Sequence, residues 1–170
     1  MIRKPQAGEY NEFYATYIDK VEGDNIIKAL REQLSSFTAF MSGISEEASE
    51  YAYASGKWSI KELLNHINDT ERIFAYRALC IARGDKTPLP GMDQDTYQSA
   101  SPTKTRTFSS LLEEFVAIRT ATLFLFEDMP ESDSLQVGTA SGFPVSVRAL
   151  AAMIYGHCAH HTDVIKQRYL

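Results

Sequence analysis

Three of the chain's four histidines fall within Tyr155-Gly156-His157-Cys158-Ala159-His160-His161, and the fourth is His66, far upstream. On a helix, His157 and His161 stand one turn apart, separated by roughly 40° around the axis. Leu150, Met153, Ile154 and Val164 share that side, so both imidazoles point into an apolar stripe. Two titratable rings on a core face need partners, because burying a polar group without one is costly. A metal ion meets that need, and the i, i+4 spacing suits it. A third ligand must come from another segment, and His66 is the remaining histidine. Three imidazoles would leave one coordination position open for water or substrate, the catalytic rather than the structural arrangement.

Other readings stay open for these residues. Taken alone, His66 on a helix flank reads as a hydrogen-bonded or exposed histidine rather than a ligand. His160 lies one position off the pair, as an outer partner, a surface residue or a substitute ligand. Position 158 is Cys, so the glutamate of the HExxH metalloprotease motif is missing. Position 154 is Ile, so the Glu-x-x-His of di-iron carboxylate bundles is missing too. Glu71 falls near the middle of an apolar face and Arg119 inside another. The two read as an ion pair across the core, with a second role for Glu71 in orienting a ligand imidazole. Arg119 or Arg72 is a candidate for an anionic substrate group. Asp69 and Asp163 lie off the stripes and read as solvated. Cys80 and Cys158 read as small reduced core residues.

Helices are needed to hold these groups, and the apolar periodicity supplies four. Residues 1–22 are aromatic-rich without helical period and read as an arm across the outside of a single domain, 23–170. Asp24 is the expected N-cap of the first long helix, whose stripe is Ile26, Leu30, Leu34, Phe37 and Met41, stopped by Gly43. An acidic connector runs from Ser45 to Lys57. Ser59-Ile60-Lys61-Glu62 is a capping box opening the second helix, with Trp58 placed as a staple against Leu63. Its face is Ile60, Leu63, Leu64, Ile67, Phe74 and Ala78, with His66 on the flank beside Thr70 and Ile73. Gly84 ends it, and 85–106 form a long polar crossing. Thr107 opens the third helix, with Phe108, Leu111, Leu112, Phe115, Leu123 and Phe126. Residues 135–144 read as a connector or short hairpin, and Ser146 caps the fourth helix, which carries the histidines. The fold class is all-α, a four-helix bundle. If the second and fourth helices run antiparallel, His66, His157 and His161 meet at one end.

The whole-chain numbers agree with one globular domain: 170 residues, 44% hydrophobic and 23% charged. A net charge of -5 gives no net-basic footprint for nucleic acid. No apolar run is long enough to span a membrane, and the N-terminus lacks a signal-peptide core, so a cytoplasmic protein is expected.

The run Trp58-Ser59-Ile60-Lys61-Glu62-Leu63-Leu64-Asn65-His66-Ile67-Asn68-Asp69-Thr70-Glu71 closely resembles the opening of the second helix in the DinB-like superfamily of metalloenzymes. Gly156-His157-Cys158-Ala159-His160-His161 is similar to that family's second signature, and Leu89-Pro90-Gly91-Met92-Asp93 to its linker. The resemblance runs from about residue 25 to the end. It implies an up-down-down-up bundle and a divalent ion held by His66, His157 and His161, in a protein that is often a homodimer. Family members with known chemistry include transferases and isomerases using thiols such as bacillithiol or mycothiol. Many relatives carry Glu where this chain has Cys158. The expected function is a metal-dependent enzyme of small-molecule chemistry using zinc, nickel or iron, a thiol-dependent transferase first. A hydrolase is the alternative, and a non-catalytic metal-binding stress-response module the third reading.

Overall fold

A computed structural model describes residues 1–170. In chain order it contains a 3-10 turn (Glu12–Tyr14), α1 (Ala15–Ile18), α2 (Ile26–Ser42), α3 (Glu46–Ser49), α4 (Ile60–Ala82) and α5 (Gln94–Ala100). A second 3-10 turn (Thr103–Thr105), α6 (Phe108–Glu127), α7 (Glu131–Ser134), the strands β1 (Val137–Ala140) and β2 (Phe143–Ser146), and α8 (Val147–Arg168) complete it. The four long helices, α2, α4, α6 and α8, form the bundle.

Cross-helix contacts fix the directions. Gln33 and Phe40 of α2 meet Tyr155 and Lys166 of α8 in the same order, so these run parallel. Arg31 and Phe37 of α2 meet Glu127 and Phe115 of α6 in reverse order. Asn68 and Glu71 of α4 meet Leu111 and Arg119 of α6 in the same order. Trp58, just before α4, receives a bond from Tyr169 after α8, while His66 meets His157, so α4 and α8 are antiparallel. The topology is up-down-down-up. Because α4 and α6 are parallel, the segment joining them must return the full length of the bundle, which explains the long crossing.

Helix starts follow local chemistry. The capping box is complete: Ser59 Oγ accepts from Glu62 N–H at 3.2 Å, and Glu62 Oε2 accepts from Ser59 N–H at 2.8 Å. Thr107 caps α6 and Ser146 caps α8 through the amides of Ser110 and Ala149. The α2 cap is Asn25 rather than Asp24: Asn25 Oδ1 accepts from Lys28 N–H, and the next amide, of Ile26, donates to the carbonyl of Ile2. The hairpin forms with register Val137↔Ser146 to Ala140↔Phe143, closed by Ser141 (φ 54°) and Gly142 (φ 82°). Two successive positive φ values match the right-handed twist of the strands.

The connectors carry more order than periodicity predicts. The 45–57 segment holds α3, whose Glu46 carboxylate accepts from Phe108 N–H at the start of α6. The crossing holds α5, capped by Asp93. The N-terminal segment does not lie wholly outside: Ile2, Ile18 and Val21 are buried in the core.

That core has two apolar clusters, one around Leu30, Phe74, Phe126 and Leu150, the other around Phe37, Leu64, Phe115 and Ile165. Between them runs a polar layer crossing all four helices. Arg119 is fully buried and donates from Nε and Nη2 to the two oxygens of Glu71, 2.8 Å each. Its Nη1 donates to Gln33 Oε1 at 2.8 Å, and Gln33 Nε2 donates to the Tyr155 carbonyl at 3.0 Å. Burial works against the charge, but Glu71 outweighs it and holds Arg119 above its ordinary value.

Candidate metal centre

His66 reaches across from α4 to α8, and its Nε2 lies 3.0 Å from His157 Nε2; His161 Nε2 lies 3.1 Å from the same atom. The rings stand edge to face, with centroids 4.5–5.0 Å apart. His66 and His157 are buried and His161 is half-buried. Burial drives all three imidazoles towards the neutral form: His66 is pulled down to about 4, His161 to about 3, and His157 well below its ordinary value. A neutral imidazole is the metal-binding form, and the three Nε2 atoms come together here. Three nitrogens ~2.1 Å from one ion sit ~3.0 Å apart at right angles and ~3.4 Å apart at tetrahedral angles. The His66–His157 and His157–His161 spacings fall near these values, and all three ligand nitrogens lie within 4.8 Å of one another, close enough for one divalent ion to draw them together. Hydrogen bonds among the rings alone are a poorer account, since His157 Nε2 faces two nitrogens and has at most one proton to offer.

The far sides of the rings are thinly supported. His66 Nδ1 has Thr70 Oγ1 at 3.5 Å, and His161 Nδ1 is buried with no partner. Aromatic rings supply the wall instead: Trp58 at 4.9 Å from His66, Tyr17 at 5.6 Å from His157, and Phe74 at 6.3 Å from His157. Tyr17 is brought there by Gly156, at which any Cβ would stand 2.0 Å from the Tyr17 carbonyl oxygen. The glycine inside the histidine motif is what lets α1 lie on α8.

Two clefts reach the cluster. One, of about 270 Å³, opens on His66 and His157 between Tyr14, Tyr17, Phe74 and Met92. The other, of about 420 Å³, opens on His160 and His161 beside Tyr53, Trp58 and Asp95. Gln94, at the start of α5, borders both, so the crossing roofs the site. A larger depression between α2 and α8 is lined mainly by charged and polar groups such as Lys20, Glu32 and Lys166 and contains no histidine.

A family model described as the DinB superfamily matches residues 29–165. The chain belongs to the DinB superfamily. Among solved structures it is similar to YfiT from Bacillus subtilis, with a TM-score of 0.70 over 96% of this chain and 92% of that one, at 14% identity. That protein is described as a probable metal-dependent hydrolase with an unusual four-helix bundle topology. At this identity the likeness is one of fold. No curated protein matches the chain.

Within this DinB-superfamily bundle, the residues singled out from sequence divide sharply. His66, His157 and His161 come together. His160 stays at the rim, half-buried, with its ring 5.5 Å from Tyr17 and 5.1 Å from His161. Glu71 does not orient an imidazole, because both its oxygens are taken by Arg119. Arg119 cannot meet a substrate: it is fully buried and committed to Glu71, Gln33 and the Leu30 carbonyl. Arg72 pairs with Glu114 at 2.5 Å on the bundle surface, off the histidine face. Asp69 is half-buried rather than solvated and accepts from Asn65, while Asp163 pairs with Lys20. Cys158 is buried with its thiol pushed up to about 12 by burial, beside Arg119 and turned from the cluster; Cys80 is partly exposed.

Arg77 was not legible from sequence as a site residue, yet it lines the first cleft. The signal lay in a row along α4, His66, Thr70, Ile73 and Arg77, each three or four residues after the last. All four border that cleft.

Proposed function

We propose that this protein is a divalent-metal-dependent enzyme acting on small molecules, with the ion held by His66, His157 and His161, and that its reaction is transfer to a low-molecular-weight thiol. The carrying observation is the convergence of three imidazole Nε2 atoms, two of them on buried rings and one on a half-buried ring, where two clefts meet. When bound, a divalent ion supplies Lewis acidity, lowering the pKa of a thiol or water placed on it.

What the chain's own residues supply favours the thiol. The first cleft has no carboxylate in its walls and no imidazole beyond His66 and His157, so no side chain there is suited to take a proton from water. A thiol needs less help, because its ordinary pKa of ~8.5 is already close to neutrality. The thiol proton leaves to solvent, the sulfur attacks an electrophilic carbon, and the leaving group departs with its electron pair. Tyr14, Tyr17 and Phe74 line the approach.

Hydrolysis is the second reading, favoured by Asp95, which borders the other cleft with His161 and is the one carboxylate placed to serve as a base. The solved relative described as a probable metal-dependent hydrolase points the same way.

The test is a pair of assays on protein loaded with zinc, nickel or ferrous iron. One follows thioether formation between a low-molecular-weight thiol and a chlorodinitrobenzene, and the other hydrolysis of nitrophenyl esters without thiol. Metal-dependent thioether formation supports transfer. Ester hydrolysis that needs metal but no thiol, and is lost in Asp95→Asn, replaces it with the second reading. Neither activity with any of these ions leaves a metal-binding module.

A further inference from the structure

Buried arginines in this bundle are matched by acids, with one exception. Arg119 has Glu71, and the half-buried Arg106 and Arg148 have Glu114 and Glu9. Arg77 is only 4% exposed and forms no ion pair. A guanidinium withdrawn from water normally has a carboxylate beside it, since removing a charge from water costs several kcal/mol unless compensated. The ionisable groups nearest to it are the hydroxyls of Tyr14 and Tyr97, and burial pulls Arg77 below its ordinary value.

Its hydrogen bonding is one-sided. Nη2 donates to the Pro90 carbonyl at 2.6 Å and to Ser141 Oγ at 3.2 Å, which uses both protons of that nitrogen. Nε and Nη1 have no partner in the protein, and neither is among the sealed buried atoms. Arg77 lines the cleft that also opens on His66 and His157. The anchoring is rigid: the crossing and the hairpin are tied to each other through Leu89 N–H to the Thr139 carbonyl and Ser141 N–H to the Leu89 carbonyl. Their joint grip on Nη2 orients the open edge of the fork. Phe74 lies between this fork and the cluster, 5.8 Å from the guanidinium carbon on one side and 6.3 Å from the His157 ring on the other.

We infer that Arg77 is the anion receptor of the cleft, and that the substrate is a small molecule with a carboxylate or similar planar anion at one end and an apolar body. The anion takes the Nε and Nη1 edge in the parallel two-bond geometry that a carboxylate offers. The body rests on Phe74, Tyr14 and Met92, with the reacting end towards His66 and His157. The substrate would thus supply the counter-charge that the fold omits. This assignment rests on the metal-enzyme reading for the direction of the reacting end, but not for the binding of the anion.

The experiment compares phenylacetate with phenylacetamide by calorimetry on the full chain, with and without one equivalent of zinc, in wild type, Arg77→Lys and Arg77→Met. Charge-assisted hydrogen bonds predict that wild type prefers the carboxylate by about ten- to a hundredfold, also without zinc. Arg77→Met brings the ratio to about one, while Arg77→Lys, which keeps the charge but not the fork, falls between. Wild type showing no preference overturns the inference whether or not the variants fold. A preference that appears only with zinc and survives in Arg77→Met also overturns it, since the anion is then held by the ion. Wild type that takes up no zinc yet prefers the carboxylate through Arg77 keeps the anion site and removes the metal-enzyme reading.

Discussion

Exchanging glycine for alanine inside a helix normally stabilises by about 0.5–1 kcal/mol, because glycine loses more backbone freedom on folding. Gly156 reverses that expectation. Its Cβ would stand 2.0 Å from the Tyr17 oxygen, 2.5 Å from its carbonyl carbon and 2.6 Å from its Cα. All three are backbone atoms, so no rotamer relieves the clash. Ordinary contact begins near 3.4 Å, and α1 must therefore retreat by about 1.4 Å. Overpacking of this kind costs ~1–3 kcal/mol, and partial release of the buried Ile18 and Val21 adds a share of the ~1.5–3 kcal/mol each side chain gains from burial. Net of the helix gain, Gly156→Ala loses ~2–4 kcal/mol. For a chain of this size the melting temperature falls by about 4–16 °C. The assay is thermal unfolding by circular dichroism on metal-free protein, with limited trypsin digestion at Lys20 reporting release of the arm. A variant that melts at or above the wild-type temperature, with the arm still protected, refutes the close approach of α1 to α8 and the placing of Tyr17 against His157.

Arg119→Met strands the Glu71 carboxylate in the core and costs ~3–5 kcal/mol by denaturant unfolding, with metal content per folded chain unchanged. Adding Glu71→Leu recovers much of that loss, because an apolar pair can replace a buried ion pair; metal loss without loss of stability would instead tie the pair to the site. Acid sensitivity follows from the histidines. Their folded values lie below the ordinary 6.5, at about 4 for His66 and about 3 for His161, so the unfolded chain takes up protons first. The histidine contribution is therefore fully present a little above pH 6.5, and metal-free protein loses stability as pH falls from 6.5 towards 4, where the His66 contribution is largely spent. Bound metal is released from the folded protein only as pH approaches the folded values of about 4 and about 3, where protons compete for the same nitrogens. Denaturant midpoints at about pH 7.5 and about pH 5 check it, and equal midpoints would contradict burial of neutral rings.

Much of the frame was readable from residue order. Ser59, Thr107 and Ser146 act through their own side chains on amides three residues away, so local chemistry announces those helix starts. The histidine spacing was equally local on α8, and His66 was identified because no other histidine remained. What escaped depends on long-range placement. Asn25 rather than Asp24 caps α2, next to an Ile26 amide taken by the distant Ile2 carbonyl. The N-terminal segment lacks helical period, which hid the burial of Ile2. The Glu71–Arg119 pair was legible because both charges fall on apolar faces. Arg72 and Arg77 look alike in a string of letters, and only the fold shows that Arg72 lies on the surface and that Arg77 lines the cleft without an acid.

The central claim is that His66, His157 and His161 hold one divalent ion between α4 and α8. The direct measurement is the metal content, by plasma mass spectrometry, of untagged protein beside His66→Ala and His161→Ala variants whose folding is verified by circular dichroism. Wild type should hold about one divalent ion per chain, and both variants should lose it. Wild type without metal, or metal that survives removal of His66, would contradict a site shared by the two helices.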